Sequence, residues 1–414
     1  MKVVHACTYD RGGAANAALR LHRDLLAAGV ESTMVVARKT VPDTTVMEVP
    51  GLLYRGNPTL AARLEYRLGR LFCPFGPKPW GPALLPGTAL RFIQSLRPDV
   101  VHLHWVSHGL FSIEQIARIR APLVWTLHDM WALTPGYGYR SEPGPALKSI
   151  EAFSPLMPGA PFARLARNVW QRKLRAWRHL GAAIVAPSEW LAEEARRSEV
   201  LQGCSVRTIP YSVPLDVFRP QDRAVARREL GLPVDRPLVL FGADDSGGFR
   251  KGADLLVAAL VKLRGLSSMR PALVIFGASK IDGLRDSGIE VFPCGAISDP
   301  AQLARLYAAC DVFACPSRED NLPNTVLESF ACGTPAVAFR VGGLPDLIQH
   351  GVNGFLAAPF DPADLCKALG EALIAEHADG RLGRAARLTA ERNHSGPSVT
   401  RSYRDIYERL LSTS

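Results

Sequence analysis

Short apolar runs alternate with helical segments along this chain, and that alternation restricts the possible folds more than any other feature of the sequence. Five runs typical of buried strands lie in the first half: Val3–Thr8, Thr33–Ala37, Val100–His104, Leu123–Leu127 and Ala183–Ala186. Five more lie in the second half: Leu238–Phe241, Leu273–Phe276, Glu290–Phe292, Val312–Cys315 and Pro335–Ala338. Strands that are separated by helices pair in parallel. Two such series predict an α/β protein with two Rossmann-like halves.

A turn-rich segment, 209–214, separates the two series, and we place the domain boundary near residue 207. The predicted domains are therefore 1–207 and 208–395. A further helix is predicted within 396–414, where apolar and aromatic residues recur with the spacing of one packed face: Tyr403, Ile406, Tyr407, Leu410 and Leu411.

The 414 residues carry a net charge of +10 and a pI of about 9.4, which favours anionic partners without choosing among nucleotides, membranes and nucleic acid. No run of eighteen apolar residues occurs, and the chain opens into a strand-like stretch without a charged and apolar leader. We therefore expect a cytoplasmic protein. The eight cysteines lack C-x-x-C pairing, so neither disulfides nor a zinc site is expected.

The most informative stretch is 315–339, which has the pattern strand, loop, helix, strand. We expect the helix to begin near Pro323, whose fixed φ and missing N–H suit a first helical position, with Asn321 as its cap. The loop Asp320-Asn321-Leu322 would then present N–H donors to a pyrophosphate or to sugar hydroxyls. Asp320 and Glu328 would repel a nearby phosphate, so we assign these acids to ribose and sugar hydroxyls. The alternative is that both acids solvate an ordinary surface helix.

The pattern Asp320, seven residues, Glu328, followed by Ala-Cys-Gly-Thr-Pro at 331–335, resembles the acidic-x7-Glu motif of retaining glycosyltransferases of family GT4. That family has Glu where Asp320 stands, so either Asp320 or its neighbour Glu319 takes this role, and the spacing favours Asp320. The resemblance implies that Glu328 holds the ribose. It implies that Asp320 and the neighbouring residues, Glu319, Asn321 and Leu322, bind the donor sugar.

The resemblance covers most of the chain and implies the GT-B fold, in which two Rossmann-like parallel-sheet domains face a cleft. Residues 1–207 would bind the acceptor, and residues 208–395 would bind the nucleotide-sugar donor. The helix within 396–414 would pack back on the first domain, as it does in this fold.

Two loops at strand ends carry candidate phosphate-binding residues. Gly12 and Gly13 lie between the first strand and the first helix, where a glycine turn lets the backbone approach a phosphate. This turn is not a G-x-G-x-x-G fingerprint, and a plain tight turn is the alternative. We assign it to the donor because the family uses this loop near the donor diphosphate.

The second loop, 242–252, follows the first strand of the second half and contains Arg250 and Lys251. Lys251 before Gly252 matches the family, whereas the family's Arg position is occupied by Ala243, so Arg250 is the candidate replacement. These cations would stabilise the departing diphosphate, and loss of one such donor costs about 10²–10³ in rate. A solvated surface lysine is the alternative for Lys251.

A histidine follows the fourth strand of the first half, where ligands gather in open α/β sheets. His128 resembles the family's cleft histidine, which approaches the transferred sugar, and is a catalytic candidate; the alternative is a histidine bonded to its own loop. His102 and His104 alternate along the preceding strand and point to one face. Because no third ligand is evident near them in sequence, we expect no metal site. The chain also lacks Asp-x-Asp, the metal clamp of the other large glycosyltransferase fold.

The stretch 152–188 contains no Asp or Glu. Apolar residues recur there at helical spacing: Phe162, Leu165, Val169, Trp170, Leu174 and Trp177. Six cations occupy other positions: Arg164, Arg167, Arg172, Lys173, Arg175 and Arg178. Each is worth about 1 kcal/mol near an anionic leaflet. We therefore predict peripheral contact of 162–179 with the inner face of the membrane, toward a lipid-linked acceptor. The alternative is that the apolar stripe packs on the sheet and the arginines are solvated.

These features predict a retaining, metal-independent glycosyltransferase that moves a sugar from a UDP-, GDP- or similar nucleotide sugar to a hydroxyl acceptor, in polysaccharide or glycolipid biosynthesis. No cofactor and no nucleic-acid partner are expected. One alternative is a nucleotide-sugar epimerase of the same fold, which needs acid and base carboxylates. The other is a nucleotide-sugar-binding protein without activity, which the departures at Ala243 and Asp320 would support. The base, sugar, acceptor and linkage stay open.

Overall fold

The computed structural model describes residues 1–50, 80–139, 160–243, 248–266, 269–277 and 287–412, together with residues 64, 67, 283 and 284. The chain divides into two compact units. The first unit consists of Met1–Ser212 and Gly396–Ser414, and the second of Val213–Ser395. The terminal segment therefore belongs to the first unit.

Within the described residues, the first unit contains seven strands: β1 (Lys2–Tyr9), β2 (Glu31–Arg38), β3 (Val46–Glu48), β4 (Val100–Leu103), β5 (Leu123–Thr126), β6 (Ala183–Ala186) and β7 (Ser205–Thr208). They form one parallel sheet in the order β3-β2-β1-β4-β5-β6-β7. The register pairs His5 of β1 with His102 of β4. Since side chains at paired positions of a parallel sheet point to the same face, these histidines lie side by side.

Helices cover this sheet on both faces: α1 (Gly13–Ala27), α2 (Ala89–Ser95), α3 (Ile113–Ile116), α4 (Ala160–Trp177), α5 (Glu189–Arg197) and, at the end of the chain, α14 (Gly396–Ser412). One apolar cluster joins alternate strand residues such as Trp125 to Trp170 and Trp177 of α4. On the other face, Val3 and Val124 share a cluster with Leu25 of α1 and Tyr407 of α14. The first sheet is thus buried on both faces, as a parallel sheet requires.

The second unit contains six described strands: β8 (Leu238–Ala243), β9 (Ala272–Gly277), β10 (Val291–Pro293), β11 (Val312–Cys315), β12 (Ala336–Phe339) and β13 (Gly354–Ala357). They form a parallel sheet in the order β10-β9-β8-β11-β12-β13. Its helices are α6 (Arg223–Glu229), α7 (Gly248–Lys251), α8 (Ala253–Leu266), α9 (Pro300–Ala309), α10 (Asn324–Ala331), α11 (Leu344–Leu347), α12 (Pro362–Asp379) and α13 (Arg381–Asn393).

The boundary between the units lies after Ser212, whereas the sequence placed it near residue 207. Position 207 falls inside β7, which pairs with β6 through Ala186 and Thr208 and so belongs to the first sheet. Three strands were not predicted from the sequence: β3, β7 and β13. Each has only three or four residues, and β7 is mostly exposed, so neither length nor apolar pattern marked them.

Some predicted features lie outside the described residues. These are positions 244–247 of the loop 242–252, positions 152–159 of the stretch without acids, and the side chain of Phe162. Among the described helices, none is both long and apolar enough to cross a bilayer.

Candidate active site

The second sheet reverses its strand order between β8 and β11, and the loops at the carboxyl ends of these two strands carry the predicted donor residues. Ligands of open α/β sheets bind at such a reversal point. Arg250 and Lys251 form the end of α7, which follows β8. Asp320 lies in the loop between β11 and α10. The fold therefore brings together cations and an acid that are 69 residues apart in sequence.

Asp320, which is buried, forms an ion pair with the partly buried Lys251. The Nζ atom of Lys251 lies 2.6 Å from Oδ2 of Asp320, and Nη1 of Arg250 lies 3.5 Å from the same oxygen. The hydroxyl of Ser317 also donates to this carboxylate at 3.1 Å. Burial alone would raise the pKa of Asp320, but the charges of Lys251 and Arg250 hold it below its ordinary value. Asp320 is therefore an ionised carboxylate that also orders the two cations.

Two glycines allow the surrounding loops to approach the Asp320 loop closely. Gly252 has φ +69°, and a Cβ atom there would lie 1.9 Å from the carbonyl oxygen of Pro316. Gly342 has φ +53°, and a Cβ atom there would lie 2.0 Å from the carbonyl oxygen of Asp320. The next residue, Gly343, donates its N–H to that same oxygen at 3.1 Å. Any side chain at either position would push the loop away.

The helix after this loop begins one residue later than predicted. Pro323 has ψ 122°, which is not helical, so it stands at the N-cap position and α10 starts at Asn324. The expected role of Asn321 as the cap is therefore wrong, because Asn321 lies two residues before that position. The four loop residues predicted to bind the donor are largely buried: Glu319, Asp320, Asn321 and Leu322.

Glu328 lies within α10 and is 5% exposed. Its Oε2 atom accepts a hydrogen bond from the hydroxyl of Tyr307 at 3.1 Å. Tyr307 is fully buried on α9. This tyrosine holds the carboxylate from the core side and so fixes its orientation.

Arg318, which links the two loops, was not predicted from the sequence. Its guanidinium lies 3.9 Å from the ring centroid of Phe249 and pairs with Asp254 through Oδ2 at 2.6 Å. It also donates to the carbonyl of Phe249 at 2.6 Å, and its own N–H donates to the carbonyl of Arg250 at 2.8 Å. Arg318 therefore fixes α7 against the Asp320 loop. The signal in the sequence is slight, since a lone arginine beside two acids has no pattern.

In the first unit the strand order reverses between β1 and β4. Gly12 and Gly13 lie directly after β1, at the start of the fifteen-residue helix α1, and both are exposed. Gly12 has φ 96°, which favours glycine, although a Cβ atom there would meet nothing within 4 Å. Glycine is thus required at this turn for its backbone conformation and not for space.

His128 lies after β5 and is 8% exposed. Both of its ring nitrogens have partners within the first unit: Nε2 lies 3.0 Å from Nδ1 of His104, and Nδ1 lies 2.7 Å from the hydroxyl of Tyr211. Burial lowers the pKa of His128 to about 3. His128 is therefore a neutral imidazole with both nitrogens engaged.

His104 continues this contact to the first strand, because its Nε2 atom lies 2.9 Å from Nδ1 of His5. His102 makes separate contacts, with the hydroxyls of Tyr407 at 2.8 Å and Thr126 at 2.7 Å. His5, His102 and His104 each offer one possible ligand atom, and these atoms lie within 4.8 Å of one another. The third histidine that the sequence analysis did not find is therefore His5, which the sheet register places beside His102.

The basic helix α4 uses its apolar stripe in the core, since Val169, Trp170 and Trp177 are buried. Two of the six cations between positions 164 and 178 are also engaged. Arg172 pairs with Glu114 at 2.7 Å. Lys173 is fully buried, donates to the carbonyl of Thr134 at 2.9 Å, and has its pKa lowered by burial. The remaining four are exposed: Arg164, Arg167, Arg175 and Arg178.

Two family models match the chain. The one described as Glycosyltransferase Family 4 matches residues 11–217, and the one described as Glycosyl transferases group 1 matches residues 236–374. The chain therefore belongs to glycosyltransferase family 4 and is a glycosyltransferase, as predicted.

Its curated relatives include D-inositol 3-phosphate glycosyltransferases. That of Xylanimonas cellulosilytica is 30% identical over 309 residues, which cover 71% of this chain and 68% of the relative. That of Mycolicibacterium paratuberculosis is 29% identical over 425 residues, which cover 96% of this chain and 86% of the relative. With two others, the matched region spans about half of the relative's length.

Solved structures support the same fold. Sucrose-phosphate synthase from Thermosynechococcus elongatus matches with a TM-score of 0.69 at 19% identity, and all of both chains is covered. Anabaena HepE in complex with UDP-glucose matches with a TM-score of 0.64 at 17% identity, again over all of both chains. The fold class is thus GT-B, with two Rossmann-like parallel sheets, as predicted.

Proposed function

We propose that this glycosyltransferase transfers a sugar from a nucleoside diphosphate sugar to a hydroxyl acceptor, with retention of anomeric configuration and without a metal ion. The observation that carries the proposal is the pair of cations, Arg250 and Lys251, at the reversal point of the second sheet. Two positive groups there would stabilise the charge that develops on a departing diphosphate. A solved structure of the same fold is a complex with UDP-glucose, which supports this class of donor.

In the proposed reaction the bond between the anomeric carbon and the diphosphate oxygen breaks, and the acceptor oxygen bonds to the same face of the sugar. The acceptor proton passes to the departing phosphate, so no carboxylate nucleophile is needed. Asp320 orders the cations and binds sugar hydroxyls together with Glu319, Asn321 and Leu322. Glu328, held by Tyr307 at 3.1 Å, binds the ribose. By the resemblance to the family, Gly12 and Gly13 are assigned to the diphosphate and His128 to the transferred sugar.

A donor panel followed by a transfer assay tests this proposal. UDP-, GDP- and ADP-sugars are screened for a rise in melting temperature, since a ligand at 100 times its dissociation constant stabilises by about 2.7 kcal/mol. Transfer is then measured with and without EDTA, with inositol 3-phosphate among the acceptors because the curated relatives act on it by name. We expect retained anomeric configuration and full activity in EDTA. Inversion, or activity that needs added magnesium or manganese, contradicts the mechanism, and a new sugar nucleotide formed without acceptor indicates an epimerase.

Substitutions at the cation pair test the site itself. Lys251→Ala and Arg250→Ala are each expected to lower kcat/KM, by about 10²–10³ for the stronger contributor. Arg305→Gln is the matched control, because Arg305 is half-exposed on α9 and pairs with Glu229. Lys251→Arg keeps the charge that Asp320 needs, so it separates loss of activity from loss of folding. Normal activity in both alanine variants would overturn the assignment.

We further propose that α4 contacts an anionic membrane surface at the inner face, toward a lipid-linked acceptor in polysaccharide or glycolipid synthesis. Its apolar stripe lies in the core, so the contact would be electrostatic. Among the exposed arginines, Arg164, Arg167 and Arg175 recur at the spacing of one helix face, and Arg178 directly follows the helix. Each contributes about 1 kcal/mol at an anionic leaflet.

Vesicle sedimentation tests the membrane contact. Binding to anionic vesicles is expected to fall with added salt and to fall again in Arg167→Gln/Arg175→Gln. The double variant Lys367→Gln/Arg392→Gln removes two exposed cations of the second unit and should bind as the unchanged protein does. Equal binding to neutral and anionic vesicles would exclude the contact.

A further inference from the structure

Three buried histidines and one tyrosine form a continuous hydrogen-bonded chain at the central strands β1, β4 and β5 of the first sheet. Nδ1 of His5 lies 2.9 Å from Nε2 of His104, Nδ1 of His104 lies 3.0 Å from Nε2 of His128, and Nδ1 of His128 lies 2.7 Å from the hydroxyl of Tyr211. His5 and His104 are at most 3% exposed, and His128 and Tyr211 are 8% exposed. Every link therefore joins an Nδ1 atom to the next group along the chain.

The protons in this chain are not independent. A neutral imidazole has one N–H donor and one lone pair, so a ring that donates at one nitrogen must accept at the other. The direction of any one bond then fixes the direction of all the others. Only two arrangements satisfy every link: all three rings protonated at Nδ1, or all three protonated at Nε2.

The free end of the chain distinguishes these arrangements. Nε2 of His5 is buried and has no hydrogen-bond partner. With all rings protonated at Nε2, this atom would be a buried N–H without an acceptor, which is the rarest kind of unsatisfied group. With all rings protonated at Nδ1, it is only a lone pair, and the hydroxyl of Tyr211 receives the last N–H.

We infer that His5, His104 and His128 each carry their proton on Nδ1, and that His5, His104 and Tyr211 are positioning residues that fix the tautomer and orientation of His128. The catalytic meaning of this inference rests on the proposed function, in which His128 lies beside the transferred sugar. With Nε2 accepting from His104 and Nδ1 donating to Tyr211, the ring acts as a fixed neutral group and not as a general base.

The same geometry weighs against a metal ion at His5, His102 and His104. Their possible ligand atoms lie within 4.8 Å of one another. However, both nitrogens of His102 already contact hydroxyls, those of Tyr407 and Thr126. A bound ion would have to replace hydrogen bonds of this chain. Metal binding and the hydrogen-bonded chain therefore exclude each other and can be distinguished by experiment.

Nitrogen NMR of the full chain labelled with 15N-histidine tests the inference. Long-range 1H–15N correlations report which ring nitrogen is protonated, and His5→Gln, His104→Gln and His128→Gln assign the signals. We expect the Nδ1–H form to exceed the other by about tenfold or more in all three rings, because an unsatisfied buried donor is costly. Nε2 protonation, doubly protonated rings at neutral pH, or one equivalent of bound zinc after purification without chelator would each overturn the inference.

A pair of tyrosine variants sharpens the test. Tyr211→Phe removes the acceptor for His128, so the two arrangements become comparable and the preference for Nδ1–H should be lost. Tyr403→Phe is the matched control, since Tyr403 is buried on the same face but contacts Thr126 at 3.0 Å and not the chain. An unchanged tautomer in Tyr211→Phe would overturn the positioning role of Tyr211.

Activity is measured on the same two variants. If the tautomer changes in Tyr211→Phe while kcat/KM stays within twofold of the control, the hydrogen-bonded chain of histidines exists but His128 has no part in transfer. In that case only the proposed role of His128 is contradicted. If kcat/KM falls about tenfold or more together with the tautomer change, both inferences are supported.

Discussion

The first unit buries a group of neutral histidines, whereas the second unit buries ion pairs. Six histidines of the first unit have pKa values lowered chiefly by burial: His5, His22, His102, His104, His108 and His128. Five of them are joined to one another or to hydroxyls. The same parallel architecture therefore accommodates neutral buried histidines in one unit and compensated buried charges in the other.

Two such ionic centres are found among the described residues of the second unit. One is the Lys251–Asp320 pair at the candidate site. The other surrounds Asp311, which accepts from Arg227 at 2.6 Å and from Arg223 at 3.0 Å, while Arg223 also contacts Glu376 at 2.8 Å. Such pairs lose much stability when one partner is removed. We therefore expect the two units to unfold under different conditions.

Acidification should affect the stability of the two units differently, and the direction of the change follows from the pKa shifts. The buried histidines have folded pKa values below 6.5, for example about 3 for His128 and about 4 for His22. Below pH 6.5 the unfolded chain binds protons that the folded chain does not. The free energy of unfolding therefore decreases by about 1.4 kcal/mol for each unit by which the pH is lowered, for each such histidine. For Asp320, whose pKa is lowered from 3.8, the stabilisation is present above pH 3.8 and is lost only below it.

We therefore predict that acidification from pH 6.5 to 5 destabilises the first unit far more than the second. All seven tryptophans lie at or before residue 190, so tryptophan fluorescence in urea reports the first unit alone. Amide hydrogen exchange of β8–β13 peptides reports the second unit. Equal loss of protection in both units over this range would contradict the contrast.

The second prediction concerns the ionic centre of the second unit. Asp311→Asn leaves the guanidinium of Arg227, which is 6% exposed, without its carboxylate and should cost about 3–5 kcal/mol. Exchange should rise in β8 and α6, while the tryptophan-detected transition stays unchanged. The control, Asp235→Asn, removes an exposed partner of Arg236 and should change nothing measurable. A shifted tryptophan transition in Asp311→Asn would show that the units are not separable in this way.

The third prediction concerns the hydroxyls that serve the histidines. Tyr407→Phe removes the partner of Nδ1 of His102 and leaves a buried polar atom unsatisfied, which should cost about 1–3 kcal/mol in the tryptophan-detected transition. The pH dependence should persist, since the histidines remain buried. A gain in stability would show that this hydrogen bond is not needed.

The smallest effect is expected at the surface of the second unit. Asp254→Asn breaks the ion pair with Arg318. Because the side chain of Asp254 is 55% exposed, the loss of stability should be about 0–1 kcal/mol. The cation–aromatic contact of Arg318 with Phe249 remains. A loss as large as that of Asp311→Asn would show that burial does not decide the value of these pairs.

The type and order of the secondary-structure elements were predicted well from the sequence, because apolar periodicity is repeated along each element. Ten strands and the helix after the acidic loop were found within a few residues. Pairings between distant residues were not predictable. Lys251 and Asp320 are 69 residues apart, and apolar periodicity does not indicate which loops lie close together. The contact of His5 with His104 likewise depends on sheet register, which a single sequence does not reveal.

The discontinuous make-up of the first unit has a consequence for synthesis on the ribosome. Residues 213–395 form the second unit as one continuous segment, and α14 of the first unit is made only after them. Until then His102 lacks the hydroxyl of Tyr407 and Thr126 lacks that of Tyr403. Domains fold as units during synthesis. The unit whose translation starts first is therefore completed last, and a chain that ended at residue 395 would have a complete second unit but an uncovered apolar face on the first sheet.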